Sequence, residues 1–294
     1  MNTQPAAGAA SVIVERSLDG AVAQLWLDRP ARRNAFDAAL IVELTTAIER
    51  LGGEPALRVL ILGGRGPAFC AGADLGWMAC QGVADEQANR ADALRLARLF
   101  EVLDHCPCPT VARVQGACFG GGLGLVAACD LAIAADDARF ALSEARIGVL
   151  PATIGPYVLR AIGYRAASRY MLTAEVFDAF EAVRIGLIHQ TVPSAELDAT
   201  IARWVASLLG CGPRAQREIK RLLRDLAGRP IDAALLADTA DRIAAARASD
   251  EGREGLQAML DKRAPPWAPG ACAVVDAGGG APPSGDQDRD RGQT

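Results

Sequence analysis

The sequence predicts an α/β fold that ends in a helical region, and three observations carry that expectation. Strand-like runs alternate with helical patterns from about residue 12 to residue 192. One of them, Val59-Leu60-Ile61-Leu62, is apolar throughout, as a strand covered on both faces should be. From Leu197 onward the apolar spacing is almost wholly helical. The 294 residues, 51% hydrophobic and 22% charged, suffice for one large domain or two smaller ones around a sizeable core.

Residues 1 to about 10 are small and polar, which predicts a frayed terminus. Strands at 12–14 and 21–27 flank Leu18-Asp19-Gly20, and Asp-Gly is a strong hairpin signal. Asp28-Arg29-Pro30 breaks the second strand. Asp37 then caps a helix whose Leu40, Ile41, Leu44 and Ile48 keep helical spacing up to Gly52-Gly53. The strand at Val59 empties into GGRGPAFCAGADLGWM, residues 63–78, where glycines crowd a strand-to-helix junction. A helix over 85–103 carries Ala93, Leu96, Leu99, Phe100 and Leu103 on one side and is stopped by Pro107 and Pro109. A strand over 110–114 runs into Gly120-Gly121-Gly122, a short apolar helix, a strand about 130–134 and a turn ending at Glu144. Helical segments follow at 157–162, 166–172, 197–209, 213–226, 231–246 and 252–259. Beyond Trp267 the chain is rich in Gly, Pro and Asp, which predicts disorder. The expected organisation is a flexible N-terminus (1–11), a core (12–200), a helical C-terminal region (201–267) and a disordered tail (268–294).

Composition excludes several functions. With 31 basic and 35 acidic residues the net charge is −4, which offers no field for nucleic acid or an anionic membrane. The segment MNTQPAAGAAS has neither the basic nor the apolar region of a secretory signal, and Asp130 interrupts the glycine stretch before it could span a bilayer, so a cytoplasmic protein is expected. Of eight cysteines, Cys70, Cys118 and Cys129 sit in apolar runs, as buried reduced thiols do. His105-Cys106-Pro107-Cys108 lacks a second ligand pair at finger or ribbon spacing, and its prolines suit a helix stop, so no metal is expected. A catalytic cysteine would need a histidine, and only His105 and His189 exist; His189 reads as a half-exposed residue near a strand start.

Three consecutive glycines suit a place where a ligand approaches the main chain. If the last of them open a helix, their unpaired N–H groups and the helix dipole favour a developing negative charge. With Glu144 close behind, the pattern points to an oxyanion hole beside one acid/base residue. Two alternatives compete. The run from Gly122 to Ala127 matches G-x-G-x-x-A, but the following helix is short and the acidic residue expected about 20 positions on falls beyond the next strand. Alternatively the glycines serve only tight packing and Glu144 caps a helix; two glycine junctions plus a carboxylate weigh against that. No glycine cluster is followed by Lys-Ser or Lys-Thr, which excludes a P-loop.

Phe69-Cys70-Ala71-Gly72-Ala73-Asp74-Leu75, the segment 116–130, Ser143-Glu144, Leu172-Thr173 and Gly186-Leu187-Ile188, in this order, resemble the enoyl-CoA hydratase/isomerase (crotonase) superfamily over about residues 12–267. The resemblance implies a crotonase-like spiral of ββα units with a helical C-terminal trimerisation region, and a homotrimer or a hexamer built as a dimer of trimers. It places the two oxyanion-hole amides on Ala73 and Gly121 and the acid/base on Glu144. Ala71, Ala73, Asp74 and Leu75 match the segment bordering the adenine and pantetheine arm of CoA. Arg32 and Arg33 lie where the family contacts the CoA phosphates, although solvated loop charges explain them equally well. No metal or redox cofactor is implied, because CoA is part of the substrate.

One departure stands out: hydratases with two catalytic carboxylates carry a second glutamate where this chain has Gly124. The implied activity is hydration of an α,β-unsaturated acyl-CoA; the alternatives are an enoyl-CoA isomerase and a catalytically silent acyl-CoA-binding protein. The segments 72–78, 143–148 and 151–158 are similar to bacterial 3-methylglutaconyl-CoA and isohexenylglutaconyl-CoA hydratases, whose substrates carry a distal carboxylate. Arg146 and Arg160 are the candidates to pair with it. Arg214, Arg217, Arg221 and Arg224 line one side of the helix from Pro213, most simply as a solvated face.

Overall fold

β1 (Val12–Ser17) and β2 (Val22–Leu27) pair antiparallel from Val12↔Leu27 to Ser17↔Val22 in the computed structural model, which describes residues 10–268. Leu18, Asp19 and Gly20 all take positive φ in the turn between them, the conformation that the Asp-Gly signal anticipates. Residues 1–9 and 269–294, expected to be flexible, lie outside the described residues. Ser11 belongs to the fold: its amide donates to Glu43 at 2.9 Å and its carbonyl accepts from Asp28 at 2.8 Å.

The later strands are β3 (Val59–Gly64), β4 (Ala68–Cys70), β5 (Thr110–Val114), β6 (Ala117–Phe119), β7 (Leu131–Ala135), β8 (Arg139–Ala141), β9 (Phe177–Asp178) and β10 (Gln190–Val192). They form two sheets, ordered β1-β2-β3-β5-β7-β10 and β4-β6-β8-β9. Within the first, every pairing after the hairpin is parallel. Strands β3 and β4, β5 and β6, and β7 and β8 thus make three turns of a spiral, each giving one strand to each sheet before a helix returns the chain.

Those returns are α2 (Leu75–Gly82) with α3 (Glu86–Asp104), α4 (Gly121–Ala128) and α5 (Gly155–Thr173), with α1 (Ala38–Gly52) before them. Asp37, Asp74 and Asp85 cap α1, α2 and α3 through their side chains. In α5, Gly163 breaks the helical path at φ 69° and ψ 167°, which is why the sequence reads as two helical segments there. After α6 (Ala179–Arg184), the end region comprises α7 (Leu197–Leu209), α8 (Pro213–Leu226), α9 (Ala233–Ala248) and α10 (Asp250–Leu260). The first two of these start and stop where periodicity puts them. The last two start at their caps, Asp232 and Ser249, rather than at the first apolar residue.

The second sheet corrects the sequence reading. The chain does not run from the strand at 110–114 straight into the glycines, and 135–143 is not simply a turn: β6 and β8 intervene. Two- and three-residue strands are too short to show an alternating pattern. β6 and β8 are held by parallel pairing with one another, Ala117↔Arg139 to Phe119↔Ala141, and β9 pairs antiparallel with β8.

β3 is buried on both faces. Leu60 and Leu62 join Leu25, Leu40, Leu44, Phe69, Phe100 and Phe140 in the main core, while Val59 and Ile61 pack with Val111, Ile133 and α7's Leu197, Ile201 and Val205. At roughly 1.5–3 kcal/mol per buried large apolar side chain, this double layer fixes the ends of the spiral strands, where the site residues sit. Among the described residues, no helix is long and apolar enough to cross a membrane.

Candidate active site

Two glycines with positive φ, each just after a short strand of the second sheet, bring the site together. Gly72 (φ 94°) follows β4, and Gly120 (φ 48°, ψ −117°) follows β6 and precedes α4. Such backbone is strained for a residue with a Cβ. The two turns touch: a Cβ on Gly120 would lie 3.8 Å from Gly72 Cα, and one on Gly72 would lie 3.1 Å from Phe119 O. The next residues, Ala73 and Gly121, are therefore neighbours in space although far apart in the chain.

Their amides face away from the fold's own acceptors. Phe36 forms a parallel bridge with Ala73, donating to Gly72 O at 2.7 Å and accepting from Asp74 N at 2.7 Å, so the Ala73 N–H points to the other side. Gly121 is the first residue of α4, where an N–H has no carbonyl one turn back. The Phe36 ring backs this turn so closely that a Cβ on Gly121 would lie 2.5 Å from Cε2. Two unpaired amides on touching turns, one at a helix start, are of the kind that can stabilise an oxyanion.

Glu144 lies against the Gly120 turn. It opens a 3-10 turn, Glu144–Ile147, directly after β8, and its Oε1 would lie 3.0 Å from a Cβ on Gly120. Its Oε2 is buried and has no hydrogen-bond partner among the described residues. Burial pushes its pKa above the usual glutamate value, with a smaller opposing contribution from its own backbone amide. A carboxylate with one oxygen unspent and a raised pKa is suited to moving a proton. Trp77 Nε1, on the first turn of α2, is also buried without a partner among the described residues.

The place of a second carboxylate is filled with hydrocarbon. A Cβ on Gly124 would lie 2.2 Å from Ile154 Cγ2 and 3.0 Å from Phe100 Cε1. Gly124 is thus the close-packing point of α4 against α3 and the start of α5, which leaves no room for a carboxylate at that position. The nearby thiol is not a rival nucleophile: Cys70 Sγ donates to Asn34 O at 3.1 Å, and burial pushes its pKa up to about 12.

The sequence profile of the family described as enoyl-CoA hydratase/isomerase matches residues 17–270. The chain belongs to this family. A crotonyl-CoA hydratase from Syntrophomonas wolfei is 31% identical over 255 residues, 86% of this chain and 96% of that protein. The crystal structure of an enoyl-CoA hydratase from Shewanella pealeana superposes with a TM-score of 0.84 at 44% identity, covering 88% of this chain and 96% of that one. An enoyl-CoA hydratase from Mycobacterium smegmatis gives a TM-score of 0.82 at 30% identity over 88% and 99%.

The other residues matched to the family motif lie around these turns. Ala71 donates its amide to Arg33 O at 2.9 Å, so Arg33 contributes its carbonyl to the loop while its side chain is exposed. Arg32, 61% exposed, has its guanidinium 3.6 Å from Asp74 and 3.9 Å from Asp37. Leu75, at the start of α2, is 69% exposed, a large apolar side chain left open to solvent beside the hole. Of the two arginines considered for a distal carboxylate, Arg146 is exposed in the Glu144 turn, whereas Arg160 is already ion-paired with buried Asp104.

Asn34 is the positioning residue that sequence reasoning missed. It is fully buried in a left-handed conformation (φ 57°), and its Nδ2 reaches Arg65 O, Ala68 O and Phe69 O at 2.9–3.1 Å while its Oδ1 accepts from Arg29 N at 2.8 Å. It staples the arginine loop to β4 and hence to Ala73. Its only sequence signal is an Asn in a loop, a residue type that tolerates this conformation. Asn34→Ala is expected to lower unfolding stability by roughly 2 to 3 kcal/mol in urea titrations, through unpaired carbonyls and a less tolerant backbone.

Proposed function

We propose that this protein is an enoyl-CoA hydratase with a single acid/base. The thioester oxygen of an α,β-unsaturated acyl-CoA accepts hydrogen bonds from Ala73 and Gly121, and Glu144 takes a proton from water as the oxygen adds to the β-carbon. The enolate charge gathers on the held oxygen, and Glu144 returns a proton to the α-carbon, so the double bond gains H and OH. The observation that carries this reading is the Glu144 carboxylate over Gly120 with Oε2 buried and unpartnered. In the same reading Ala71, Asp74 and Leu75 border the CoA arm, and Arg32 and Arg33 meet its phosphates from the rim. No further cofactor is required, CoA being part of the substrate.

For the acyl group we propose a substrate with a distal carboxylate, 3-methylglutaconyl-CoA being the test case, with Arg146 as its partner. A buried carboxylate needs such a cation, and Arg146 is two residues from Glu144. Loss of enoyl-thioester absorbance is expected with 3-methylglutaconyl-CoA in preference to crotonyl-CoA. Arg146→Ala should erase the preference; an unchanged ratio refutes the assignment.

The hydrocarbon at Gly124 favours one second reading, an isomerase in which the lone Glu144 carries a proton between the α- and γ-carbons. There a 3-enoyl-CoA would gain absorbance while crotonyl-CoA lost none. Stabilisation by acyl-CoA with no turnover of either type would indicate a silent binding protein. We also propose assembly as a homotrimer or a dimer of trimers through the C-terminal helices, where Leu223, Leu256, Met259 and Leu260 are exposed; light scattering of the intact protein tests it.

The pH dependence has a definite sign. Hydration begins with ionised Glu144, so kcat should fall as pH drops through the raised pKa of Glu144. The acid limb is expected above the ordinary glutamate value of 4.5. A limb at or below that value would show that Glu144 is not the base.

A further inference from the structure

A second cluster of reactive groups lies away from the glycine turns, in the connection from α3 to β5. Cys106 and Cys108 are 2% and 3% exposed, and their Sγ atoms are 3.7 Å apart. The chain between them is wedged against the end of α1, where a Cβ on Gly52 would lie 3.1 Å from Pro107 Cδ and 3.9 Å from Cys106 Sγ. On another side stands Lys220 of α8. Its Nζ, on a buried side chain, donates to Cys108 O at 2.9 Å and pairs with Asp130 Oδ2 at 2.6 Å. Asp130 in turn accepts from Thr110 N at 2.7 Å and Oγ1 at 2.8 Å. Arg224, one turn further along α8, donates to Asp104 O at 3.2 Å. The carbonyls of Asp104 and Cys108, on either side of Pro107, are therefore two of the points that hold α8, beside the Lys220–Asp130 pair.

We propose that Cys106 and Cys108 are a redox-responsive dithiol that closes to an intrachain disulfide on exposure to peroxide and releases the Cys108 carbonyl from Lys220 of α8. The geometry needs little movement: the sulfurs must approach by roughly 1.6 Å to reach a disulfide bond length near 2.05 Å. The two thiols are also unequal. Cys106 is favoured as thiolate, first by the hydrogen bond it shares with Cys108 and then, against the opposing effect of burial, by the Lys220 ammonium, whereas Cys108 is pushed up, first by that same hydrogen bond and then by burial. Buried Cys118, which lacks such partners, is held up by desolvation alone apart from neighbouring Cys70.

The steps balance with a peroxide as oxidant. The Cys106 thiolate attacks a peroxide oxygen, the O–O bond breaks, and the departing hydroxide takes a proton to become water, leaving a sulfenic acid. Cys108 sulfur then attacks that sulfur; its thiol proton and the sulfenic OH leave as a second water. The pair has lost two electrons and two protons. Burial excludes a bulky disulfide as the oxidant. Because Cys108 must shift, its carbonyl leaves Lys220, and α8 loosens.

The test uses the intact protein, titrated with hydrogen peroxide, quenched with N-ethylmaleimide in denaturant and digested with trypsin. The peptide spanning residues 99–113 holds both cysteines and no others. It is expected two hydrogens lighter and unalkylated, and dithiothreitol should restore both adducts. Cys108→Ser should stop at a Cys106 sulfenic acid that dimedone traps. Hydrogen exchange over residues 213–226 should be faster in the oxidised protein. A doubly alkylated peptide at a peroxide dose that has consumed exposed Cys80 and Cys211 overturns the proposal, and the wild-type result does not depend on any variant folding. A disulfide that leaves exchange in α8 unchanged overturns its link to Lys220.

Discussion

Glu144→Gln is expected to lower the hydration rate roughly a thousandfold while leaving acyl-CoA binding nearly intact, because the amide keeps the shape but cannot accept the water's proton. Binding measured by calorimetry separates this from collapse of the site. The same substitution should raise the melting temperature. Burial raises the Glu144 pKa, so ionising this group costs the folded state stability, and no hydrogen bond to Oε2 offsets the loss. The wild type loses that increment as pH climbs through the ordinary glutamate range to the raised value, whereas glutamine has nothing to ionise. The gain should therefore grow as pH rises from the ordinary glutamate range through the raised pKa and vanish once pH is below that range. A variant equally inactive but less stable at neutral pH would mean that the carboxylate is a structural anchor and that the acid/base must be sought elsewhere.

What the sequence made legible depended on how locally each feature is encoded. The span of α8 was readable because Pro213 opens it and its apolar residues repeat at helical spacing. β3 was readable because burial on both faces leaves no polar residue in Val59-Leu60-Ile61-Leu62. Gly121 and Glu144 were readable as a possible hole and base, since a glycine triplet and a lone carboxylate are rare enough to invite a chemical reason. The second sheet was not readable: Ala117–Phe119 and Arg139–Ala141 carry no period, and their pairing is a property of the spiral. Asn34 was hidden for a similar reason, since its acceptors Arg65, Ala68 and Phe69 are more than 30 positions away. Gly124 is the sharper lesson. As a sequence it is a missing glutamate, which suggests a vacancy in the site; in space it is a contact, completed by an isoleucine 30 positions later whose role nothing local announces.

Restoring the glutamate should consequently fail. Gly124→Glu is expected to destabilise the fold by about 3 kcal/mol or more, with loss of soluble protein, because even its Cβ would lie 2.2 Å from Ile154 Cγ2 and 2.8 Å from Ile154 Cβ. The longer side chain would also bring an unpaired charge among Leu123, Phe100 and Ile154, all buried. α4 cannot move aside without cost, since a Cβ on Gly122, two residues earlier, would already lie 2.7 Å from Cys70 O. Ile154→Ala alone should fold and cost roughly 2 to 4 kcal/mol as a cavity. The double variant Gly124→Glu with Ile154→Ala should recover part of the stability lost by Gly124→Glu, because the space removed from one side chain is given to the other. Its hydration rate then decides what position 124 can do. A rise above the Ile154→Ala background means that a carboxylate there reaches the water that Glu144 is proposed to activate, so that the isoleucine, and not the backbone, leaves the site with one carboxylate. If stability recovers without any rise, α4 turns position 124 away from the hole, and single-carboxylate chemistry is built into the helix itself.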